Sequence, residues 1–400
     1  MKTTSAYKKR SLPVQNMLAF SIIAVALAAC GGGGDGSGNT STSAGSTTAT
    51  PQQDAVSQAS TALVAQTGAT VVPGTTSTAQ AFDLTADIGD TWRLVLNQDG
   101  SFTIEVLSTQ YGLTDISGTY TQSTSGSFTT YTGTSANGSF TLKLDTRTRI
   151  MGGNVVLRTR SASVAGSGYS VPSDTTRLAG DYFYIGATRN AGDGRSPSFV
   201  GGTFRVATNG TDVTLCDSGL INAAGTCDAV AGSSTPSQVA LKLVKNTTDG
   251  LTHVQQGGSD FGILSFQAGD RGPVLVIDRF GYNQATTPAL RTGVIYASKQ
   301  QVLSGNELNG SWTCTDRGTT IGTVTINGTA VKTADTSGAS TAETLYFNDI
   351  SANTGLVAVN GAATSVVNGQ APSSGVILLP LSSSMFVVER DAAQSVAACR

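Results

Sequence analysis

Charged side chains are scarce in this 400-residue chain. They make up 12% of it, and 24 basic against 26 acidic residues give a formal net charge of −2. A nucleic-acid-binding domain usually carries a basic patch or stripe, so this composition indicates that nucleic acid is not a partner. Hydrophobic residues make up 39% of the chain, which is enough to build a core and excludes disorder throughout.

Residues that bind metals or perform catalysis are also few. His253 is the single histidine, and no two cysteines have the C-x-x-C spacing of a zinc site. No serine lies in the Gly-x-Ser-x-Gly elbow of hydrolases. The glycine run at 31–34 follows no strand pattern and lacks the Lys-Ser/Thr ending of a phosphate-binding loop. We therefore predict no metal, no cofactor and no catalytic residue, and the sequence favours a protein that is not an enzyme.

The apolar run near the N-terminus is too short to span a bilayer. Residues 17–29 form a run of 13 that is interrupted only by Ser21, whereas a membrane-spanning helix needs about 20 residues. Lys8, Lys9 and Arg10 precede this run. A basic start followed by a short apolar run is typical of a secretory signal peptide.

The run ends in Leu27-Ala28-Ala29-Cys30, which resembles the lipobox of bacterial lipoproteins. In that family the signal is cut before the cysteine, the sulfur receives a diacylglycerol and the new amine is acylated. The resemblance implies that 1–29 is a signal peptide, that Cys30 is the lipid attachment site and that the membrane is a partner. Because Gly31 and not Asp follows the cysteine, it also implies the outer membrane. The alternative is an ordinary secretory signal with a chance cysteine.

Cleavage before Cys30 would remove four basic residues and no acidic one, so the net charge would fall from −2 to −6. Residues 30–50 are rich in Gly, Ser and Thr and predict a flexible tether. Residues 51–80 predict a linker with a short helix over 52–66, which Asp54 would cap at its N-terminus.

Four cysteines remain besides Cys30, namely Cys216, Cys227, Cys314 and Cys399. An even number in an oxidising compartment implies disulfides, and four cysteines allow three connectivities. We favour Cys216–Cys227, which closes a short loop without a strand pattern. Cys314–Cys399 would then tie the last residues to the start of the final module.

From about residue 81 onward, apolar and polar residues alternate with a period of two, which predicts strands with one buried and one wetter face. Asn-Gly pairs at 137–138, 209–210 and 327–328 predict tight hairpin turns. The fold class that follows is all-β, with tandem antiparallel meander modules that are barrel- or sandwich-like.

A longer self-similarity divides this β-rich part into modules. Leu178-Ala-Gly-Asp-Tyr182 resembles Leu308-Asn-Gly-Ser-Trp312, and VLVIDR at 274–279 resembles MFVVER at 385–390. We predict three modules at 81–165, 175–300 and 305–400. A Gly-x-Tyr/Trp opening is similar to lipocalin-like barrels, in which an early aromatic plugs one end. The whole chain resembles uncharacterised β-rich lipoproteins of Gram-negative bacteria, a resemblance that implies no activity.

Three aromatic residues, Trp92, Tyr182 and Trp312, open the modules. If they are exposed, they would stack on sugar rings or lipid. If they are buried, they anchor the module cores, as aromatic residues usually do. We favour the core position, and Tyr184 would share the side of Tyr182 because strand residues two apart share a face.

The polar candidates each have a structural alternative. Asp278 and Glu389 close matching strands, and they would form either a two-carboxylate hydrolytic site between modules or, as we favour, ion pairs and solvated strand ends. His253 would act as a general base or, as we favour, sit in a structural or surface role. The loop at 190–195 lacks the ligand spacing of a calcium loop and predicts a turn.

Three functional hypotheses follow. The first is a non-enzymatic envelope lipoprotein that presents loops or strand edges to a carbohydrate or protein partner. The second is a lipid or small-molecule carrier, which requires a closed barrel with an apolar lumen. The third is a hydrolase whose site is assembled from distant residues, with His253 or Asp278 and Glu389 among them.

Overall fold

The computed structural model describes residues 54–400 apart from 193, 231–235, 283–289 and 391–392. The predicted signal peptide, Cys30 and the tether lie outside the described residues. Three closed eight-stranded barrels follow one another along the chain, and all of their strand pairs are antiparallel. The predicted all-β fold of tandem meander modules is therefore confirmed, and the modules are barrels rather than sandwiches.

Barrel 1 spans residues 79–167. Its strands are β1 (Ala79–Ala86), β2 (Asp90–Asn97), β3 (Ser101–Ser108), β4 (Ile116–Ser125), β5 (Phe128–Ser135), β6 (Gly138–Asp145), β7 (Ile150–Leu157) and β8 (Arg160–Ser167). The ring closes where β1 pairs with β8. Large side chains, including Trp92, Phe102, Tyr131 and Phe140, fill the interior.

Barrel 2 spans residues 180–299. Its strands are β9 (Gly180–Asn190), β10 (Ser198–Val206), β11 (Asp212–Asp217), β14 (Ser237–Lys245), β15 (Thr252–Gln256), β16 (Ser259–Gly269), β17 (Gly272–Tyr282) and β18 (Leu290–Lys299). A small hairpin of β12 (Gly219–Ile221) and β13 (Cys227–Ala229) is inserted after β11. The ring closes where β18 pairs with β9 over nine residue pairs.

Barrel 3 spans residues 310–399. Its strands are β19 (Gly310–Asp316), β20 (Thr319–Asn327), β21 (Ala330–Asp335), β22 (Ser340–Ala352), β23 (Gly355–Val367), β24 (Val376–Ser382), β25 (Met385–Arg390) and β26 (Ser395–Cys399). Two residue pairs, Cys314↔Cys399 and Thr315↔Ala398, join β19 to β26 and close this ring. Arg400, which follows β26, extends the pairing through two backbone hydrogen bonds with Thr313.

Both predicted disulfides are confirmed. Cys216 is bonded to Cys227, and Cys314 is bonded to Cys399 across the seam of barrel 3. The loop between Cys216 and Cys227 was predicted to lack strands, and this is wrong, because β12 lies within it and pairs with β13, which begins at Cys227. The short bridge therefore fastens an inserted hairpin to β11.

Helix α1 (Ala55–Thr67) begins at Asp54, whose side chain accepts a hydrogen bond from the Ser57 backbone N–H, as the sequence predicted. The helix packs against barrel 2 rather than standing free. The Ser60 hydroxyl donates to the carbonyl of Ala268 over 2.8 Å, and Leu63 belongs to the same buried cluster as the barrel interior. In the described part of the chain, no helix has both the length and the apolar character that crossing a membrane requires.

The outer faces of the three barrels share a buried apolar layer. It contains Ile150 and Ala165 from barrel 1, Phe183 and Val294 from barrel 2, and Leu379 from barrel 3, among others. Strands that line this layer are buried on both faces, which differs from the predicted pattern of one buried and one wetter face. The sequences of such strands are continuous apolar runs, because neither face is exposed to solvent.

Polar contacts join all three barrels at Asp87, in the turn between β1 and β2. Its carboxylate accepts hydrogen bonds from the backbone N–H groups of Ser163, in barrel 1, and Arg317, in barrel 3. The side chain of Arg189, in barrel 2, donates to the Asp87 carbonyl. Burial raises the pKa of Asp87 to about 6, against the opposing effect of Arg189 and the backbone donors.

Candidate functional site

The three predicted aromatics lie in the barrel cores. Trp92 and Tyr182 are fully buried and Trp312 is 6% exposed, so none of them presents a surface for a ligand. Tyr182 donates through its hydroxyl to the carbonyl of Leu178, and Trp312 donates through its indole N–H to the carbonyl of Leu308. The two repeats that the sequence suggested therefore make the same contact at the start of barrels 2 and 3.

A cavity of about 610 Å³ opens at the end of barrel 2 that lies opposite helix α1. Its walls come from all eight strands of the barrel and from the segment before β10. The lining residues are Tyr184, Thr188, Ser196, Pro197, Ser198, Val200, Leu215, Asp217, Val239, Gln256, Phe261, Arg279, Arg291 and Ile295. Ligand pockets for small molecules have volumes of roughly 300–1,000 Å³, so the cavity has the size of a binding site.

Glycines on two neighbouring strands help to keep this end of the barrel open. Gly186 and Gly293 occupy inward positions of β9 and β18 and carry no side chain. A Cβ at Gly186 would lie 2.3 Å from the carbonyl oxygen of Val294, and a Cβ at Gly293 would lie 1.9 Å from that of Ala187. Both positions are therefore restricted to glycine by the close approach of the adjacent strand.

The cavity is apolar in its depth and polar at its mouth. Tyr184, Leu215 and Ile295 form the floor, and all three belong to the buried cluster of the barrel. Two arginines, Arg279 on β17 and Arg291 on β18, stand closer to the open end. A small amphiphile would match this gradient, with its apolar part inward and its polar group at the mouth.

Arg279 is half-buried and stacks on an aromatic ring. Its guanidinium lies 3.8 Å from the centroid of the Phe261 ring, and its Nη1 donates to the carbonyls of Phe261 and Phe280. Arg279 makes no other hydrogen bond to the described residues, so its Nε and Nη2 are available to donate to a ligand. Burial, together with the like charge of Arg291, lowers the pKa of Arg279 to about 10, and the side chain is still cationic at neutral pH.

Arg291 is held in place by neutral acceptors. Nη1 donates to the side-chain oxygen of Asn190 and to the carbonyl of Ser196, and Nη2 donates to the hydroxyls of Thr188 and Ser198. Burial lowers its pKa. Because the partners are neutral, they fix the position of the guanidinium without cancelling its charge.

Asp217 is the acidic residue of the cavity wall. Burial raises its pKa, and the backbone N–H groups of Gly201 and Ser218 oppose that shift. No carboxylate of the described residues lies within ion-pair distance of Arg279 or Arg291. The cavity therefore carries a positive charge that the described protein does not balance locally.

Barrel 3 has a smaller cavity, of about 340 Å³, at the corresponding end. Its polar groups are paired within the protein. Arg390 makes an ion pair with Asp316, and Glu343 accepts hydrogen bonds from the hydroxyls of Thr333 and Ser365. The arginine of this cavity is therefore neutralised by a carboxylate, in contrast to the two arginines of barrel 2.

His253 lies outside the cavity, on the outer face of β15. Its Nδ1 and Nε2 lie 2.9 Å from carboxylate oxygens of Asp260 and Asp249. Burial alone would lower the pKa of His253, but the hydrogen bonds to both carboxylates outweigh it and raise the pKa. Both ring nitrogens are engaged, so neither is left to activate a hydroxyl nucleophile. They also point in opposite directions, so the three side chains do not converge on one metal position.

The carboxylates proposed for a hydrolytic site are not brought together. Asp278 is fully buried against barrel 1, where it accepts hydrogen bonds from the Thr91 hydroxyl and the backbone N–H of Ile263. Glu389 lies at the boundary of barrels 2 and 3 and accepts one from the backbone N–H of Ile377. The prediction that Asp278 is an ion-paired or solvated strand end is wrong, because the packing of barrel 1 covers it.

Two further expectations concern loops and metals. Asn190 and Gly194 of the loop at 190–195 are joined by a backbone hydrogen bond, as expected for a turn, while Asp193 lies outside the described residues. The described residues contain no cluster of three His, Cys, Asp or Glu side chains that could hold a metal ion.

Comparison of the chain with protein-family models, with curated proteins and with solved structures finds no match in any of the three. The site must therefore be interpreted from its own geometry.

The sequence did not point to the cavity, although one signal was present. In VLVIDR the inward positions of β17 are Leu275 and Ile277, and the next residue with that period is Arg279. An arginine at an inward position of a barrel strand indicates that this end of the barrel interior is polar. Arg291 carries no such signal, because Gly293 interrupts the apolar face of β18.

Proposed function

We propose that this chain is a lipid-anchored envelope protein without catalytic activity, whose middle barrel binds a small amphiphilic ligand. The observation that carries the proposal is the cavity of barrel 2, with its apolar floor and its polar mouth. This is the carrier hypothesis of the sequence, applied to one barrel of the three. Barrel 1 is filled by its own side chains and would serve as support.

The other two hypotheses have less support from the geometry. Presentation of barrel strand edges has less support because each barrel closes on itself, and closure removes the free edges. Presentation of loops, the other half of that hypothesis, stays a prediction. A hydrolase would need polar groups that converge in one cleft. The ring of His253 is occupied on both sides, and Asp278 and Glu389 lie at different barrel boundaries.

The anchor is tested at Cys30. We expect mass spectrometry of the membrane-bound protein to find a mature N-terminus at Cys30 that carries a diacylglycerol and an additional acyl chain. Cys30→Ala should leave the protein unanchored, because a firm hold on the bilayer needs two or more chains. An unmodified Cys30 in the membrane-bound protein would contradict the proposal.

Ligand binding is tested with an uncharged fluorescent probe, N-phenylnaphthylamine, titrated into the purified full-length protein. We expect its emission to rise on binding and the increase to saturate. Val239 lines the cavity of barrel 2, and Val239→Trp should weaken probe binding about 10-fold or more, since a filled pocket cannot bury a ligand.

The matched control is Val324→Trp, because Val324 lines the cavity of barrel 3. We expect this variant to bind the probe as the unchanged protein does. If the Val239→Trp variant binds the probe as tightly as the unchanged protein does, or if no saturable binding is found, the proposed function is contradicted.

A further inference from the structure

The two arginines of the barrel 2 cavity are held close together, and no carboxylate of the described residues, Asp217 of the cavity wall included, lies within ion-pair distance of either. Arg279 pairs with Gly293 across β17 and β18, and Arg291 stands two residues from Gly293 on the same face. Like charges on neighbouring strands repel each other, and burial of a charge is costly when it is unpaired. The fold therefore keeps two cations where hydrophobic or neutral residues would be more stable.

Barrel 3 provides an internal comparison. Arg279 and Arg390 end the matching strands VLVIDR and MFVVER, and they pair with Gly293 and Ser395 at equivalent places. In barrel 3, Asp316 stands four residues after Trp312 and neutralises Arg390.

In barrel 2 the residue four places after Tyr182 is Gly186, so the carboxylate is missing at the matching position. Arg291 has no charged counterpart either, because Ala393 stands two residues before Ser395. One barrel thus balances its inward arginine within the protein, and the other has two arginines and no partner among the described residues.

The hydrogen bonds prepare these groups for an anion. Arg291 is fixed by four neutral acceptors, and the Phe261 ring holds the plane of Arg279. Arg279 donates to the protein through Nη1, so its Nε and Nη2 can form paired hydrogen bonds to a carboxylate or a phosphate, and an already oriented guanidinium loses little conformational entropy when it does so. The four Nη hydrogens of Arg291 are engaged by its neutral acceptors, so Arg291 contributes its positive charge and its Nε–H. The apolar floor below would hold the rest of the ligand.

We propose that the cavity of barrel 2 selects ligands with a single anionic group, a carboxylate or a phosphate, on an apolar chain, and that Arg279 and Arg291 bind this group. The proposal rests on the proposed function, since it names the ligand class of the same cavity. The anion would supply the charge that Asp316 supplies in barrel 3.

The test is displacement of N-phenylnaphthylamine by three ligands of equal chain length, decanoate, decyl phosphate and decanol, with inorganic phosphate as a fourth arm. We expect decanoate, decyl phosphate or both to bind about 10- to 100-fold more tightly than decanol, which corresponds to hydrogen bonds with charged groups. Arg279→Gln and Arg291→Gln should each remove most of this preference. Inorganic phosphate alone should not displace the probe.

Arg205→Gln is the matched control, because Arg205 belongs to the same barrel but pairs with Asp181 outside the cavity. This variant should keep the preference. If Arg291→Gln does not fold, Arg279→Gln decides the result, and Arg279→Lys should retain part of the preference.

The outcomes separate the two proposals. If decanol binds as tightly as the two anions, or if both glutamine variants keep the preference, the anion inference is overturned while the binding cavity stands. If the probe itself does not bind, the proposed function fails first. Displacement by inorganic phosphate and by no amphiphile would overturn the apolar part of the inference.

Discussion

Replacing both Cys314 and Cys399 with serine should lower the free energy of unfolding of barrel 3 by about 4–5 kcal/mol in the chain-entropy model. The two residues are 85 positions apart, and a long loop gains the most from a cross-link. The bridge also lies at one of the shortest strand pairings of the ring, where two residue pairs and the backbone hydrogen bonds of Thr313 with Arg400 join its first and last strands. We expect barrel 3 to open at this seam.

Urea unfolding under oxidising conditions measures this loss. The chain has two tryptophans, one in barrel 1 and one in barrel 3, so in a Trp92→Phe background Trp312 alone reports on barrel 3. Serine replacement of Cys216 and Cys227 is the control. Those residues are 11 positions apart, which predicts about 3 kcal/mol, and the bridge only fastens the inserted hairpin. An unchanged Trp312 transition in the Cys314/Cys399 variant would contradict the prediction.

Asp278→Asn should make the protein more stable at neutral and alkaline pH. Asp278 is fully buried, and burial raises its pKa well above the ordinary value, against the hydrogen bonds from Thr91 and Ile263. A carboxyl whose pKa is raised by folding stabilises the fold below the unfolded pKa. That stability is lost as the pH rises through the folded pKa. The asparagine amide can accept from Ile263 and donate to Thr91, as the neutral acid does, and it never ionises.

Urea unfolding between about pH 4 and pH 8 tests this expectation. The unchanged protein should lose stability as the pH rises, and Asp278→Asn should lose less. Asp278→Ala is the comparison, because it leaves the Ile263 N–H and the Thr91 hydroxyl without their partner and should cost about 1–3 kcal/mol at every pH. If the free energy of unfolding of Asp278→Asn depends on pH as steeply as that of the unchanged protein, Asp278 is not the source of the pH dependence.

Four other acids of the described residues act in the same direction and set the residual pH slope, and burial is the largest cause in each: Asp83, Asp87, Asp90 and Asp217. Burial raises the pKa of Asp87 and of Asp90 to about 6, in each case against hydrogen bonds that lower it. Their contribution to stability is therefore present below about pH 4 and is lost through pH 6. His253, whose pKa is also raised, loses its contribution above its ordinary titration range. We expect the protein to be most stable in mildly acidic solution.

The sequence predicted the fold class, the helix start and both disulfides because each has a local signal. Alternation marks strands, Asp54 marks a cap, and cysteine spacing limits the pairings. Turn geometry was less accessible. An Asn-Gly pair in a two-residue hairpin turn usually has both residues at positive φ, but at 209–210 and 327–328 only Gly210 and Gly328 do, and at 137–138 neither residue does. The conformation of a turn depends on the lengths and the twist of the strands that it joins.

The cavity and the position of Asp278 could not be predicted, because both depend on how whole barrels assemble. Asp278 follows the apolar run VLVI, and nothing in that pattern states that barrel 1 covers it. Arg279 and Arg291 are separated by 12 positions in the chain and meet only because β17 pairs with β18. Alternation shows which face a residue occupies, but not whether that face meets solvent, a lumen or another barrel.

The apolar layer between the barrels also bears on how the protein can be divided. A fragment cut at the ends of barrel 2 would present Phe183, Ile185 and Val294 to water. Exposed apolar patches of this kind promote aggregation, so the middle barrel should not survive excision as a soluble binder. The repeats suggest independent modules, but the shared apolar layer makes each barrel depend on its neighbours to bury one of its outer faces. If a barrel were gained or lost during evolution, the apolar outer faces of its neighbours would have to become polar or find another partner.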